Sequence, residues 1–289
     1  MVMIQVHKES AQDAEKRQSS PSSGKREGYF NREHTWIGWV TVVVLILLWE
    51  LLYRTGALPA TSFPSAFDTF GRLFQLFGTG AFWVSVGLTM QGVVAGLGLV
   101  ILIALPVGVA IGVSRFVRES TWLLIEFLKP IPPVALIPIG LLFWGPSMGM
   151  KTSLIVFGAI WPLLVQVIYG VRAVDNVVLR MARSYRLGWW MTISRVVMPS
   201  ILPYVITGLK ISTAIAVVVA IVVELIGGAP GLGQSISIAQ SSNALVEMYA
   251  LIIAAGLLGL LINAVFALAE RPLLYWHPSQ RDKNTGKEG

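Results

Sequence analysis

Between Trp36 and Ala269 the chain is a succession of apolar runs, longer in total than a soluble core can bury. The first, Trp36 to Tyr53, reads WIGWVTVVVLILLWELLY and covers about 27 Å as a helix, close to the thickness of a bilayer's hydrocarbon. Five more follow, at about Val84 to Val113, Thr121 to Trp144, Met150 to Val171, Ile201 to Ile226 and Val246 to Ala269. A composition of 55% hydrophobic and 13% charged residues, with a mean hydropathy of +0.70, fits no ordinary soluble domain. The expected fold is an all-α membrane protein of about six transmembrane helices.

The net charge of +7 has a topological cause. Lysines and arginines gather before Trp36, at Arg115 and Arg118, from Arg172 to Arg195, and from Arg271 onward. One threading of six spans puts all four groups on the cytoplasmic side, with both termini there, as the positive-inside bias requires. Arg54, Arg72 and Lys151 fall outside that set, while Lys129 and Lys210 lie in or near spans. No basic stripe with interleaved aromatics suggests a nucleic-acid partner. Residues 1–35 form a polar tail, 36–272 the membrane domain and 273–289 a second cytoplasmic tail; no cleavable leader pattern precedes the first run. With no cysteine, disulfides and Cys-ligated metals are excluded, and no metal cluster is expected.

The one long polar interruption inside the apolar region is Asp175 to Pro203. Val178, Met181, Ala182 and Tyr185 fall at i, i+3, i+4 and i+7, an apolar stripe of a helix, with Arg180 and Arg183 pointing away. Such a helix lies along a membrane face; the stretch also reads as a basic cytoplasmic loop that only sets topology. Gly188 is the expected terminator, and Trp189 and Trp190 suit the headgroup level. On the outer side, Phe67, Phe70, Phe74 and Phe77 mark a second helix entered after Pro64 and Ser65, its stripe either lying on the outer surface or packing against the bundle.

Within the spans, the Gly92/Gly96 and Gly108/Gly112 spacings allow close helix approach, and Pro106 predicts a kink. The third run carries Pro130, Pro132, Pro133 and Pro138, too many for one continuous helix, because each removes a donor and clashes with the preceding turn. Broken backbone at membrane depth survives only inside protein or beside a wet cavity, so this run is the first candidate to line a path. Glu126 and Lys129 stand at i, i+3 beside it. Lys210 and Thr213 of the fifth run, and Glu224 near its far end, complete the path or gate candidates. Lys210 either meets an oxyanion or snorkels to the interface. Glu224 either gates or caps the amides of the turn that follows, where Gly228, Pro230, Gly231 and Gly233 make a compact reversal. Gly145 to Gly149 matches G-x-S-x-G, but the strand, helix and histidine base of a hydrolase are missing, since His7, His34 and His277 all fall on the opposite side.

Taken together, LKPIPPVALIP (Leu128 to Pro138), WPLLVQVIYGVRAVD (Trp161 to Asp175), VVMPSILPYVITGLK (Val196 to Lys210) and VELIGGAPGLG (Val223 to Gly233) resemble the transmembrane permease of binding-protein-dependent ABC importers, the nitrate/sulfonate/taurine branch above all. The polar interruption resembles the coupling loop of that family, a Glu-Ala-Ala triplet, a Gly and a hydrophobic-Pro exit. Aligned without gaps back from Val196 to Pro199, Arg180, Met181 and Ala182 fall on the triplet and Arg186 on the Gly, with Gly188 two places late. The resemblance implies a coupling helix between spans 4 and 5, carried by Asp175, Val178, Arg180, Met181, Ala182, Arg183, Tyr185, Arg186, Leu187, Gly188 and Trp190. It also implies a second permease copy, two cytoplasmic ATPases that bind ATP and Mg, an extracytoplasmic binding protein, and a multi-pass location in a bacterial inner membrane. The solute implied is a small anion such as a sulfonate, nitrate, taurine or an aromatic carboxylate; related permeases carry uncharged or cationic heterocycles. No bond chemistry and no bound cofactor are expected of the chain itself, which has no G-x-x-x-x-G-K-[ST] phosphate loop. An ion-coupled carrier is the competing transport class.

Overall fold

The structure is a computed structural model that describes residues 35–57, 59 and 61–273, without the side chains of Thr35, Asn176, Arg183 and 271–273. The two predicted tails and the three histidines therefore lie outside the described residues, apart from Thr35 at the border of the first tail and Leu273 at the border of the second. All regular secondary structure among the described residues is helical, with no strand. Five helices are long and apolar enough to cross a membrane, six if one sharply bent pair counts as a single span.

The chain divides into two units, Met1–Trp49 and Glu50–Gly289. The described part of the first is the N-terminal portion of α1, Thr35–Arg54, whose Trp36, Trp39, Val44 and Leu48 are exposed as side chains facing lipid would be. In the second unit, Glu50 is buried and takes hydrogen bonds from Ser65 Oγ and the Ala66 N–H, both at 3.0 Å. That ties the end of α1 to the start of α2, Ala66–Phe77, where the Ser65 hydroxyl caps the Asp68 N–H. α2 is the helix expected from the Phe stripe. Its buried face is Ala66, Thr69, Leu73 and Leu76, however, and Phe67 and Phe74 point outward.

Three long helices build the core: α3, Gly80–Val113; α6, Met148–Arg172; and α9, Met198–Gly227. Gly92, Gly96, Gly108 and Gly112 of α3 face Lys151, Ile155, Val167 and Val171 of α6, and a Cβ at any of the four would overlap that partner. The partner always lies 59 positions further on, 151 against 92 and 171 against 112 alike. A constant offset means that the two helices run parallel, in one register, for most of their length. α9 runs antiparallel to α6: Gly208 meets Leu163, Ser212 Oγ donates to the Ala159 carbonyl at 2.7 Å, and Gly227 meets Met150. Val100, Ala104, Ile155, Ala159, Leu163, Val167, Ile201, Ala220 and Val223 fill the space between them. A smaller cluster joins Leu73 of α2, Leu232 and Ile236 of α10, Leu232–Ser241, and Ala250 and Leu251 of α11, Leu245–Leu273. The ten-residue α10 is absent from the expected topology, which had a bare turn there. Its composition, LGQSISIAQS, is too polar and too short to register as a span.

The proline-rich run folds as α4, Arg115–Leu128, a break, a single 3₁₀ turn at Pro133–Leu136, and α5, Ile137–Trp144. The two limbs meet at 81°. Pro138 sits in the first turn of α5, where a missing N–H is harmless. Pro106 and Pro162 remain inside α3 and α6.

Filling the seam between α3 and α6 tests the register. Gly96→Val, whose added side chain meets Ile155, should destabilise the protein by about 1–3 kcal/mol, whereas Gly98→Val, with nothing within 4 Å of its Cβ, should not. Thermal unfolding in nanodiscs measures the difference.

Candidate functional site

At the end of the bundle where α6 begins and α9 ends, a lysine and a glutamate are both sealed from solvent. Lys151 Nζ donates to Glu224 Oε1 at 2.8 Å, and both side chains are 0% exposed. An ammonium has three protons, and the other two go to the Leu88 carbonyl at 2.9 Å and the Pro230 carbonyl at 2.8 Å. Glu224 Oε2 takes the Thr89 hydroxyl at 2.9 Å and the Gly233 N–H at 3.0 Å. Thr89 Oγ1 in turn accepts the Leu232 N–H at 2.9 Å, and Gln234 Nε2 donates to the Gly228 carbonyl at 2.9 Å. One satisfied network thus joins α3, α6, α9 and the start of α10.

The turn residues are chosen to admit this network. Gly228 ends α9 in the left-handed region at φ 70°. Gly231, at φ 154°, brings its backbone against the Glu224 carboxylate, where a Cβ would collide. Sequence reasoning singled out Glu224 and the turn but passed over Lys151 as one more charge outside the cytoplasmic set. A signal was present: an unpaired Lys and an unpaired Glu at matching depths of two spans imply each other. Ser147, from the G-x-S-x-G match, caps α6 by accepting the Met150 N–H at 3.3 Å.

Midway along the bundle, a cleft opens between the bent α4–α5 pair, α6 and α9. A cavity of about 480 Å³ is lined by Lys129, Pro130, Pro132, Pro133, Trp161 and Val218 among others, and a second of about 230 Å³ adjoins it. Of the expected path residues, the cleft brings together Lys129 and the three prolines and leaves out the rest. Glu126 holds Lys129 Nζ at 2.9 Å without lining either cavity. Lys210 reaches Glu270 of α11 at 3.5 Å and is 44% exposed. Thr213 is buried with its hydroxyl on the Leu209 carbonyl at 2.7 Å. Glu224 belongs to the network above.

At the opposite end lies α7, Asn176–Ser184, opened by Asp175 Oδ1 accepting the Val177 N–H at 2.7 Å. Of its apolar stripe only Ala182 is buried; Val178, Met181 and Tyr185 are exposed, Tyr185 by 80%. Arg180 is exposed, and the Arg183 side chain lies outside the described residues. The helix stops sooner than expected. Tyr185 N–H reaches the Met181 carbonyl at 2.9 Å and Leu187 N–H the Ala182 carbonyl at 3.0 Å, closing the end around Arg186 at φ 53°. Gly188, expected as terminator, instead has φ −62° and opens α8, Trp189–Thr192, with Trp190 exposed beside it. Arg186 thus occupies the left-handed position that a glycine fills without strain, and it is the residue on which the gapless alignment placed the loop Gly. A π-helical turn, Ile193–Val197, then leads into α9.

Residues 102–271 match the family described as binding-protein-dependent transport system inner membrane component. The chain belongs to that family. It is 28% identical to a putative aliphatic sulfonates transport permease protein of Bacillus subtilis (strain 168) over 86% of this chain and 90% of that one. It is 30% identical to a nitrate import permease of Leptolyngbya laminosa over 64% and 66% of the two chains, and 26% identical to a bicarbonate transport system permease of Synechococcus elongatus over 81% and 87%. A chain of the MetNI methionine ABC transporter has a similar fold, with a TM-score of 0.56 and 19% identity over 67% of this chain and 94% of that one. The protein is a multi-pass inner-membrane permease.

Three variants test these ends. Lys151→Met should destabilise by about 3–5 kcal/mol by stranding the carboxylate, and Lys151→Met/Glu224→Met should recover part of that in thermal unfolding. Arg186→Gly should slow hydrogen exchange of the Leu187 amide roughly fivefold by relieving the left-handed strain.

Proposed function

We propose that the chain is the permease subunit of an ATP-driven importer for a small oxyanion. The observation that carries this is its family membership together with relatives that are named for sulfonate, nitrate and bicarbonate, all of them oxyanions. The chain supplies the path and does no bond chemistry. ATP and Mg belong to a partner ATPase, and specificity is shared with an extracytoplasmic binding protein.

The parallel run of α3 and α6 supports six crossings. For two parallel helices to start at the same face, the stretch between them must return across the membrane, and only α4 with α5 is available to do so. On the positive-inside orientation the buried Lys151–Glu224 network then lies at the outer end and α7 at the cytoplasmic end. The exposed apolar face of α7, Val178, Met181 and Tyr185, suits a groove in the ATPase. Closure of the ATPases on ATP would push that helix and favour one of two packings of a dimeric bundle. The broken span is where such a bundle is softest, because its backbone ladder is already interrupted between Leu128 and Pro133.

The expected outcome for Tyr185→Ala combined with Met181→Asp is at least a tenfold drop, about 1.4 kcal/mol or more, in ATPase copurification or in ATP-driven uptake, with membrane insertion unchanged. Full copurification and full uptake in that variant would remove α7 as the docking element. A wild-type assembly that moves sulfonate, nitrate and bicarbonate without hydrolysing ATP would remove the importer reading itself.

A further inference from the structure

The cleft beside the broken span is unevenly furnished. Its two cavities share Lys129, Gly158, Trp161 and Ile215, and the smaller one adds Gln166. Trp161 Nε1 is shielded from solvent and meets no acceptor among the described residues. Phe157 stands edge-on to the indole at 6.0 Å and 85°, so an N–H···π contact is the most that ring can offer, and it is weaker than a hydrogen bond to a charged oxygen. The Gln166 amide also makes no hydrogen bond among the described residues. Lys129 adds a cation at the same place. The nearest carboxylate, Glu126, is engaged on Lys129 and faces neither cavity. The remaining wall is apolar, with Pro132, Pro133 and Val218 prominent.

A buried donor without an acceptor is costly, and folded proteins carry few of them. Here the residues that bear one such donor, an unengaged amide and a cation all line a cleft whose 480 Å³ main chamber is the size of a small-molecule site. Acceptor-rich ligands fit that combination, and cations do not. The apolar wall leaves room for a short hydrocarbon tail. Resting on the importer reading above, we infer that Lys129, Trp161 and Gln166 form a subsite within the path for an oxyanion carried on a short apolar tail, of the alkanesulfonate class. The anion displaces Glu126 from Lys129 and takes the indole N–H once the ring turns toward the cleft, while its tail lies on Pro132, Pro133 and Val218.

The test uses the full chain in nanodiscs and 4,4,4-trifluorobutane-1-sulfonate as a ¹⁹F NMR probe. Wild type should show saturable binding. Trp161→Phe, which keeps an aromatic ring and removes the donor, should weaken it about tenfold, and Lys129→Gln by more. Nitrate, lacking a tail, should compete at least about tenfold more weakly than butanesulfonate, and 4,4,4-trifluorobutan-1-ol should show no saturable binding. Size-exclusion profiles confirm that each variant is folded. No saturable binding to wild type, wild-type affinity in both Trp161→Phe and Lys129→Gln, or equal binding of the alcohol would each overturn the subsite. Parallel ATP-driven uptake by the assembled transporter separates the two readings. Uptake of oxyanions with unaltered half-saturation in both variants sinks the subsite alone, whereas loss of ATP dependence in wild type sinks the importer reading alone.

Discussion

An ammonium and a carboxylate enclosed together within an apolar bundle set the terms for everything around them. Removing both ions from water is expensive, and the contact between Lys151 and Glu224 offsets that expense only because the two remaining ammonium protons and the second carboxylate oxygen are also engaged. The need for those extra partners explains the local sequence. Gly92 makes room for the lysine stem, Thr89 both donates and accepts, and Gly231 and Gly233 let the backbone close over the carboxylate. The network gains specificity more than stability: α3, α6, α9 and α10 have one mutual register in which all of it is satisfied.

The rest of the bundle divides into a rigid part and a loose part along the same logic. α3 and α6 meet through glycine-lined contacts at a fixed offset, with bulky side chains seated against bare backbone, which leaves little freedom to slide. The limb built from α4 and α5 has the opposite character. Pro130, Pro132 and Pro133 deny it a continuous ladder of hydrogen bonds, and its two halves diverge by 81°. Between rigid and loose parts lies the cleft, the place where a change of packing alters volume with the least disruption of satisfied polar groups.

Much of this was legible in the chain itself. Apolar runs located the long helices to within a few residues, because lipid imposes a length and a composition that no other setting does. Proline content located the break, and the Gly92, Gly96, Gly108 and Gly112 spacings located the seam. What escaped depended on relations between distant residues. Lys151 looked like an ordinary charge because its partner is 73 positions away. α10 escaped because ten mixed residues carry no strong period, and its place is set by burial of Leu232 and Ile236 rather than by propensity. The end of α7 was misplaced because Gly188 advertises a terminator, while the backbone closes on Arg186, a residue that adopts the left-handed region only under tertiary compulsion. The Phe stripe of α2 predicts a helix but not which face is buried, and packing decides that by burying Ala66, Thr69, Leu73 and Leu76.

The sealed ion pair also bears on how the protein is made. Its halves are separated by 73 residues, so a ribosome adding about 5–20 residues per second delivers the carboxylate roughly 4–15 s after the ammonium. During that interval α6 carries an uncompensated charge near its first turn, which its long stem can hold at the water boundary until α9 arrives. Final seating of α6 thus waits on synthesis of α9.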